Sequence, residues 1–114
     1  MTLRVTYKMQ EMNFYSKWRR ASGESVRIDV FCICKFPGME GYCYGKILFF
    51  INVKDVLYIV LRLYEITQHD SVLESDIITQ SGNIKLIPTR YFKQIEQMFK
   101  RNDASFYVNK FAHL

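Results

Sequence analysis

Tyr42-Cys-Tyr-Gly-Lys-Ile-Leu-Phe-Phe-Ile-Asn-Val-Lys-Asp-Val-Leu-Tyr-Ile-Val-Leu-Arg-Leu-Tyr-Glu-Ile66 is the stretch that decides the fold class. It is rich in β-branched and aromatic residues, which pack well on a pleated surface. Tyr42 to Val53 reads as one strand, with Cys43, Gly45, Ile47, Phe49, Ile51 and Val53 on one side. Asn52-Val53-Lys54-Asp55 makes a tight reversal, and Val56 to Ile66 returns as the next strand. The apolar run from Ile47 to Leu63 is broken by Asn52, Lys54, Asp55 and Arg62. A membrane helix needs roughly 20 predominantly apolar residues, so buried strands are expected and no membrane partner is.

Upstream, Ser25 to Phe36 alternates, placing Ile28, Val30, Cys32, Cys34 and Phe36 on one face. Pro37-Gly38-Met39-Glu40-Gly41 is a turn, because proline presets φ and glycine admits positive φ. These three strands form an antiparallel meander, the simplest use of short connections. Leu3 to Tyr7 is a further short strand. Asn13 to Arg20, with Phe14, Tyr15 and Trp18 at helical spacing, admits a helical turn or a loop.

Downstream, Thr67 to Ser75 is polar and reads as a loop. Gln80-Ser81-Gly82-Asn83 carries a turn signal, and Asn83 to Ile87 is a short strand ended by Pro88. Thr89 to Arg101 has two readings. One is a helix capped by Thr89, with Tyr91, Phe92, Ile95, Met98 and Phe99 at helical spacing. The other, favoured here, is a helical turn after Pro88, a strand from Gln94 to Lys100, a hairpin loop at 101–104 and a strand from Ser105 to Phe111. Phe106-Tyr-Val-Asn-Lys-Phe needs an adjacent partner, which the hairpin supplies.

The expected fold is therefore mainly β: a small antiparallel barrel or two-sheet sandwich with one or two short helical turns. Either arrangement covers the apolar faces of strands and limits open edges. The 114 residues, with five glycines, two prolines and no linker or repeat, are expected to make a single domain spanning 1–114. Hydrophobic residues at 49% exclude a disordered chain.

Three cysteines, Cys32, Cys34 and Cys43, are an odd number, and the N-terminus lacks an apolar leader. An intracellular compartment is expected. The C-x-C spacing on a strand puts two thiols on one face about 7 Å apart along it. A structural zinc site needs a fourth ligand, which His69 and His113 do not supply from their positions, so no metal and no cofactor is expected. Neither histidine is placed as a base for a cysteine nucleophile, and Asp55, Glu65, Asp70, Glu74 and Asp76 form no acid–base pair. With no phosphate-cradling glycine loop either, an enzyme is not expected.

Sixteen Lys and Arg against eleven Asp and Glu give a net charge of +5, concentrated towards the chain ends. Lys17, Arg19 and Arg20 surround Trp18. Lys85, Arg90, Lys93, Lys100, Arg101 and Lys110 oppose only Glu96 and Asp103. Basic residues interleaved with aromatics contact phosphates and stack bases. Tyr42, Tyr44, Tyr58 and Tyr64 on the central strands offer a second recognition surface, apolar with a hydroxyl handle. The candidate binding residues are Lys17, Trp18, Arg19, Arg20, Tyr42, Tyr44, Tyr58, Arg90, Lys93, Lys100 and Arg101, for nucleic acid or peptide.

The order of Ser25–Cys34, Tyr44-Gly45-Lys46-Ile47-Leu48-Phe49-Phe50, Leu57–Tyr64, Asn83–Pro88 and Phe106-Tyr-Val-Asn-Lys-Phe resembles a C-terminal β-rich segment of transposon-derived proteins. It is also similar to the barrel of bromo-adjacent homology domains. The likeness spans roughly residues 25 to 112, with Gly45 and the closing Tyr-Val-x-Lys-Phe its distinctive parts. It matches no acidic catalytic residues of a transposase core. What it implies is a non-enzymatic interaction module in the nucleus, binding chromatin protein or nucleic acid. The alternative is a structural or oligomerisation module that pairs through a strand edge.

Overall fold

The computed structural model of the chain describes residues 2–7, 10–38 and 40–109. The described strands are β1 (Thr2–Tyr7), β2 (Gln10–Tyr15), β3 (Lys17–Arg19), β4 (Ser25–Arg27), β5 (Phe31–Cys34), β6 (Cys43–Val53), β7 (Val56–Asp70), β8 (Ser75–Pro88), β9 (Phe92–Glu96), β10 (Met98–Asn102) and β11 (Ser105–Asn109). A single 3-10 turn, Thr89–Tyr91, follows Pro88. The protein is mainly β and antiparallel throughout.

Nine strands make one sheet in the order β1-β2-β6-β7-β8-β11-β10, with β5 lying between β6 and β9; β3 and β4 make a second, two-stranded sheet. The arrangement is sandwich-like, and the described ladders do not close into a barrel. The large sheet nonetheless curls. β9 and β10 are separated by Gln97 alone, yet β9 pairs with β5 while β10 pairs with β11. That bent stretch bridges the two ends of the curl.

Two apolar clusters result. Inside the curl lie Ile33, Tyr44, Tyr64, Ile78 and Val108, with Phe31, Met98 and Phe106 packed on them. Phe31 meets Tyr64 and Phe106 with ring centroids 5.1 and 4.8 Å away. The second cluster holds Cys32, Cys34, Ile47, Phe50, Ile59, Leu61, Ile87 and Phe92, covered by Val26 of the small sheet. Trp18 of β3, opposite Val26, closes it with its ring 6.1 Å from Phe50 and 5.4 Å from Phe92.

The meander is as expected, and its turns have the local chemistry that predicts them. Val53 pairs with Val56, and the two residues between, Lys54 and Asp55, have φ of 51° and 64°. This left-handed pair is the two-residue hairpin geometry that matches strand twist. The turn after Pro88 and the hairpin before Ser105 are also as favoured, with a break at Gln97. Lys110 and Phe111, the last positions of the expected closing strand, lie outside the described residues, as does His113.

Five expectations need correction. The segment Asn13 to Arg20 is neither helical turn nor loop: β2 ends at Tyr15, Ser16 bends the chain, and β3 begins. Phe14 packs on Phe49, 5.4 Å away, while Trp18 enters the other cluster. Aromatic spacing suited to a helix here serves two different strands. Ser25 to Phe36 is not one strand, because Asp29, at φ 67°, breaks it; all five residues of the expected face still pack on the Trp18 cluster.

In β6 the register shifts between Ile47 and Phe49. An extra residue reverses the alternation beyond it. Phe50, not Phe49, is therefore fully buried in the Trp18 cluster. Thr67 to Ser75 is largely strand: β7 runs to Asp70 and only 71–74 turn. Cross-strand polar pairs replace a core here, with Thr67 Oγ1 3.0 Å from Thr79 Oγ1 and His69 Nδ1 3.1 Å from Asp76 Oδ1. Finally, Gln80–Asn83 is a bulge inside β8, where Gly82 has φ 86° and Ser81 Oγ donates to the Leu63 carbonyl at 3.1 Å.

Candidate anion-binding cleft

Pro37 turns the chain just after β5, and the 3-10 turn follows β8. Lys35 N–H donates to the Tyr91 carbonyl at 3.0 Å, which fastens these two connections side by side. Between them opens a cleft of about 440 Å3. Its walls are the Lys35–Gly38 segment and the Arg90–Lys93 segment, and no acidic residue is among them. Phe36 and Tyr91 face each other with centroids 5.2 Å apart at 59°.

Cations cap the rings. Lys85 Nζ sits 4.4 Å from the Phe36 centroid and the Arg90 guanidinium 4.7 Å from that of Tyr91. Arg90 also donates to the Tyr91 hydroxyl at 3.2 Å. Lys35 Nζ lies 5.4 Å from the Tyr42 ring, and Arg20 lies 4.8 Å from that of Phe92. Arg20 is paired to Glu24 at 3.0 Å, whereas no carboxylate among the described residues ion-pairs with Lys35, Lys85, Arg90 or Lys93. Ring quadrupoles hold cations while leaving their N–H groups to other acceptors. Among the described residues, no salt bridge has to break before the site accepts an anion.

Of the sequence-predicted residues, Arg90 and Lys93 line the cleft, while Tyr42 contacts it through Lys35 and Arg20 through Phe92. Lys17 and Arg19 stand exposed on β3, and Trp18 between them is a core anchor. Tyr44 is buried inside the curl and is no surface residue, and Tyr58 is half-buried on β7 opposite Ile51 and Pro88. Burial holds the Tyr44 hydroxyl above its ordinary range, with Asp76 and Glu96 adding to the effect. Lys100 and Arg101 belong to the β10–β11 hairpin and do not line the cleft; Lys100 pairs with Asp103 at 3.1 Å. Lys35, Phe36, Lys85 and Tyr91 are not among the candidate binding residues, although Lys85 belongs to the basic C-terminal group and Tyr91 to its aromatics; Lys35-Phe36 is placed against a Pro-Gly turn.

The three thiols belong to the Trp18 cluster, against which Phe36 and Tyr91 of the cleft also pack. Cys32 and Cys34 are fully buried, their sulfurs 4.0 Å apart, closer than the rise along a strand suggests. Cys43 is half-buried. Among the described residues no group of three His, Cys, Asp or Glu is placed to hold a metal ion. Among the described residues no helix is long and apolar enough to cross a membrane. No family model, curated protein or solved structure matches this chain, so none bears on the resemblance to transposon-derived or bromo-adjacent homology segments.

Proposed function

We propose that this chain is a non-enzymatic binding module whose cleft takes single-stranded nucleic acid. One observation carries the reading: Lys35, Arg90 and Lys93 line a cleft walled by Phe36 and Tyr91 and free of acidic lining, and Lys85 stands against the Phe36 ring. Phosphates displace counterions from such cations, and unstacked bases find ring faces nearby. A duplex presents its bases stacked and inaccessible, which favours the single strand. A chromatin protein with an acidic segment is the competing partner, in keeping with the nuclear setting that the resemblance implies.

Fluorescence anisotropy with a labelled oligonucleotide tests this. Affinity should fall roughly twentyfold between 50 and 200 mM salt if three phosphates are contacted. Affinity that does not change with salt rules the proposal out.

A second reading has its own observation. β11 pairs with β8 only from Ser75 to Thr79, so β8 from Asn83 to Ile87 has one open edge among the described ladders. Ile84 and Leu86 are exposed there. Such an edge can take another strand. Light scattering across a concentration series decides: a monomer at all concentrations removes self-pairing.

A further inference from the structure

We infer that Cys34 and Cys43 are an oxidisable dithiol that closes to a cross-strand disulfide at the root of the turn bearing Lys35 and Phe36. The two residues are register partners at the last pair of the β5–β6 ladder. Directly opposed residues on antiparallel strands have Cα atoms about 4.5 or 5.5 Å apart, and disulfides span about 4.4 to 6.8 Å. Opposed side chains also share a face, and Cys43 packs against the cluster that contains Cys34. Register pairing therefore puts the two Cα atoms within the range that a bridge spans.

Cys32 is the competing partner, and three features set it aside. Its sulfur is 4.0 Å from that of Cys34, but the two residues are alternate positions of one strand. Their Cα atoms are about 6.6 Å apart by strand rise, at the upper limit for a bridge. Both thiols are also fully buried. The hydrogen bond to Cys34 and burial hold the Cys32 thiol strongly protonated. Cys43, half-buried, is the least enclosed of the trio. Burial and then Cys34 raise its pKa, with Lys85 offsetting part of the shift, so access rather than acidity makes Cys43 the thiol an oxidant reaches first.

The chemistry needs hydrogen peroxide as oxidant. Cys43 sulfur attacks the peroxide oxygen, the O–O bond breaks, and a sulfenic acid and one water form. Cys34 sulfur then attacks the sulfenic sulfur. The S–O bond breaks, the Cys34 proton leaves with the hydroxide as a second water, and the S–S bond forms. Two thiols are oxidised by two electrons and the peroxide is reduced to two waters. The bridge closes the loop 35–42, which carries Lys35, Phe36 and Tyr42. Its formation does not depend on what the cleft binds.

Peptide mapping of the folded 114-residue chain tests this. The protein is treated with dilute hydrogen peroxide, alkylated and digested with trypsin. Cleavage after Arg27, Lys35 and Lys46 separates peptide 28–35, with Cys32 and Cys34, from peptide 36–46, with Cys43. The expected product is these two peptides joined, reducible by dithiothreitol, with fragmentation placing the link on Cys34 and alkylation on Cys32. Cys43→Ser should lower the linked product at least tenfold, and Cys32→Ala should retain it. A bridge within peptide 28–35, a link on Cys32, three alkylated thiols, or a Cys43 sulfinic acid beside alkylated Cys34 overturns the inference. Fragmentation of the unsubstituted protein gives the assignment even if a variant does not fold.

Discussion

Lys85 and Phe36 lie on strand and turn segments far apart in the chain, yet the Lys85 ammonium sits 4.4 Å from the centre of the Phe36 ring. The contact holds a cation against a ring that lines the cleft without neutralising it. A carboxylate partner would have held the side chain just as well and cancelled its charge. The worth of such an exposed pair to stability is only about 0.5–1 kcal/mol, so its charge matters more than its energy.

Replacing Lys85 by Ala should therefore weaken oligonucleotide binding more than it weakens the fold. One lost phosphate contact lowers the slope of log affinity against log salt by about 0.7. Anisotropy titrations at several salt concentrations measure this, alongside urea unfolding. Lys100→Ala, on the hairpin outside the cleft, should leave the slope unchanged. An equal drop for both substitutions removes the cleft as the site.

The register shift in β6 makes two neighbouring phenylalanines unequal. Phe50 is fully buried between Trp18 and the sheet, whereas Phe49 is half-buried beside Phe14. Phe50→Ala should cost about 3–5 kcal/mol through lost burial and the cavity left behind. Phe49→Ala should cost clearly less. Urea denaturation of both variants reads the difference, and equal costs would mean that the alternation runs unbroken through β6.

Gly45 has a packing reason to lack a side chain. A Cβ there would stand 3.0 Å from Leu61 Cβ, 3.1 Å from Leu61 Cδ1 and 3.2 Å from the Arg62 carbonyl oxygen. Two of these neighbours are rigid, so relief needs movement between β6 and β7. Gly45→Ala is expected to destabilise by about 1–3 kcal/mol, an overpacking cost, measurable as a lower urea midpoint at unchanged m-value. An unchanged or higher midpoint contradicts the close approach of these strands.

Stability should fall on the alkaline side. Burial raises the pKa of the Tyr44 and Tyr64 hydroxyls above 10.0 and that of the Cys43 thiol above 9.0. In each case the folded state holds its proton after the unfolded state has released it. Unfolding is then coupled to proton loss, and stability, complete below pH 9, declines as pH rises through 9 and beyond 10. Thermal melts across this range read the decline. Tyr44→Phe should flatten the part above pH 10, and a melt unaffected by that change would place the hydroxyl in water.

What the sequence by itself determined lies where causes are local. Period-two alternation puts Ile28 to Phe36 on the correct face, even across the break at Asp29, because faces follow from the alternation of Cβ directions. Pro37-Gly38, Lys54-Asp55 and Pro88 turn the chain where their backbone preferences predict. Tertiary pairing decided the rest. Polar residues 67–70 became strand because β8 lies opposite and offers cross-strand partners, a property no window of β7 contains. The Gln80–Asn83 turn signal became a bulge for the same reason, since Arg62 and Tyr64 pair with Ile84 and Gln80 on either side of it. The one-residue shift between Ile47 and Phe49 exchanged the roles of two phenylalanines that are identical in local context. The cleft is the clearest case: Lys35 and Phe36 meet Lys85, Arg90 and Tyr91 only because β9 returns to pair with β5. Charge counts can locate cations along a chain, but convergence on one opening depends on contacts between distant segments.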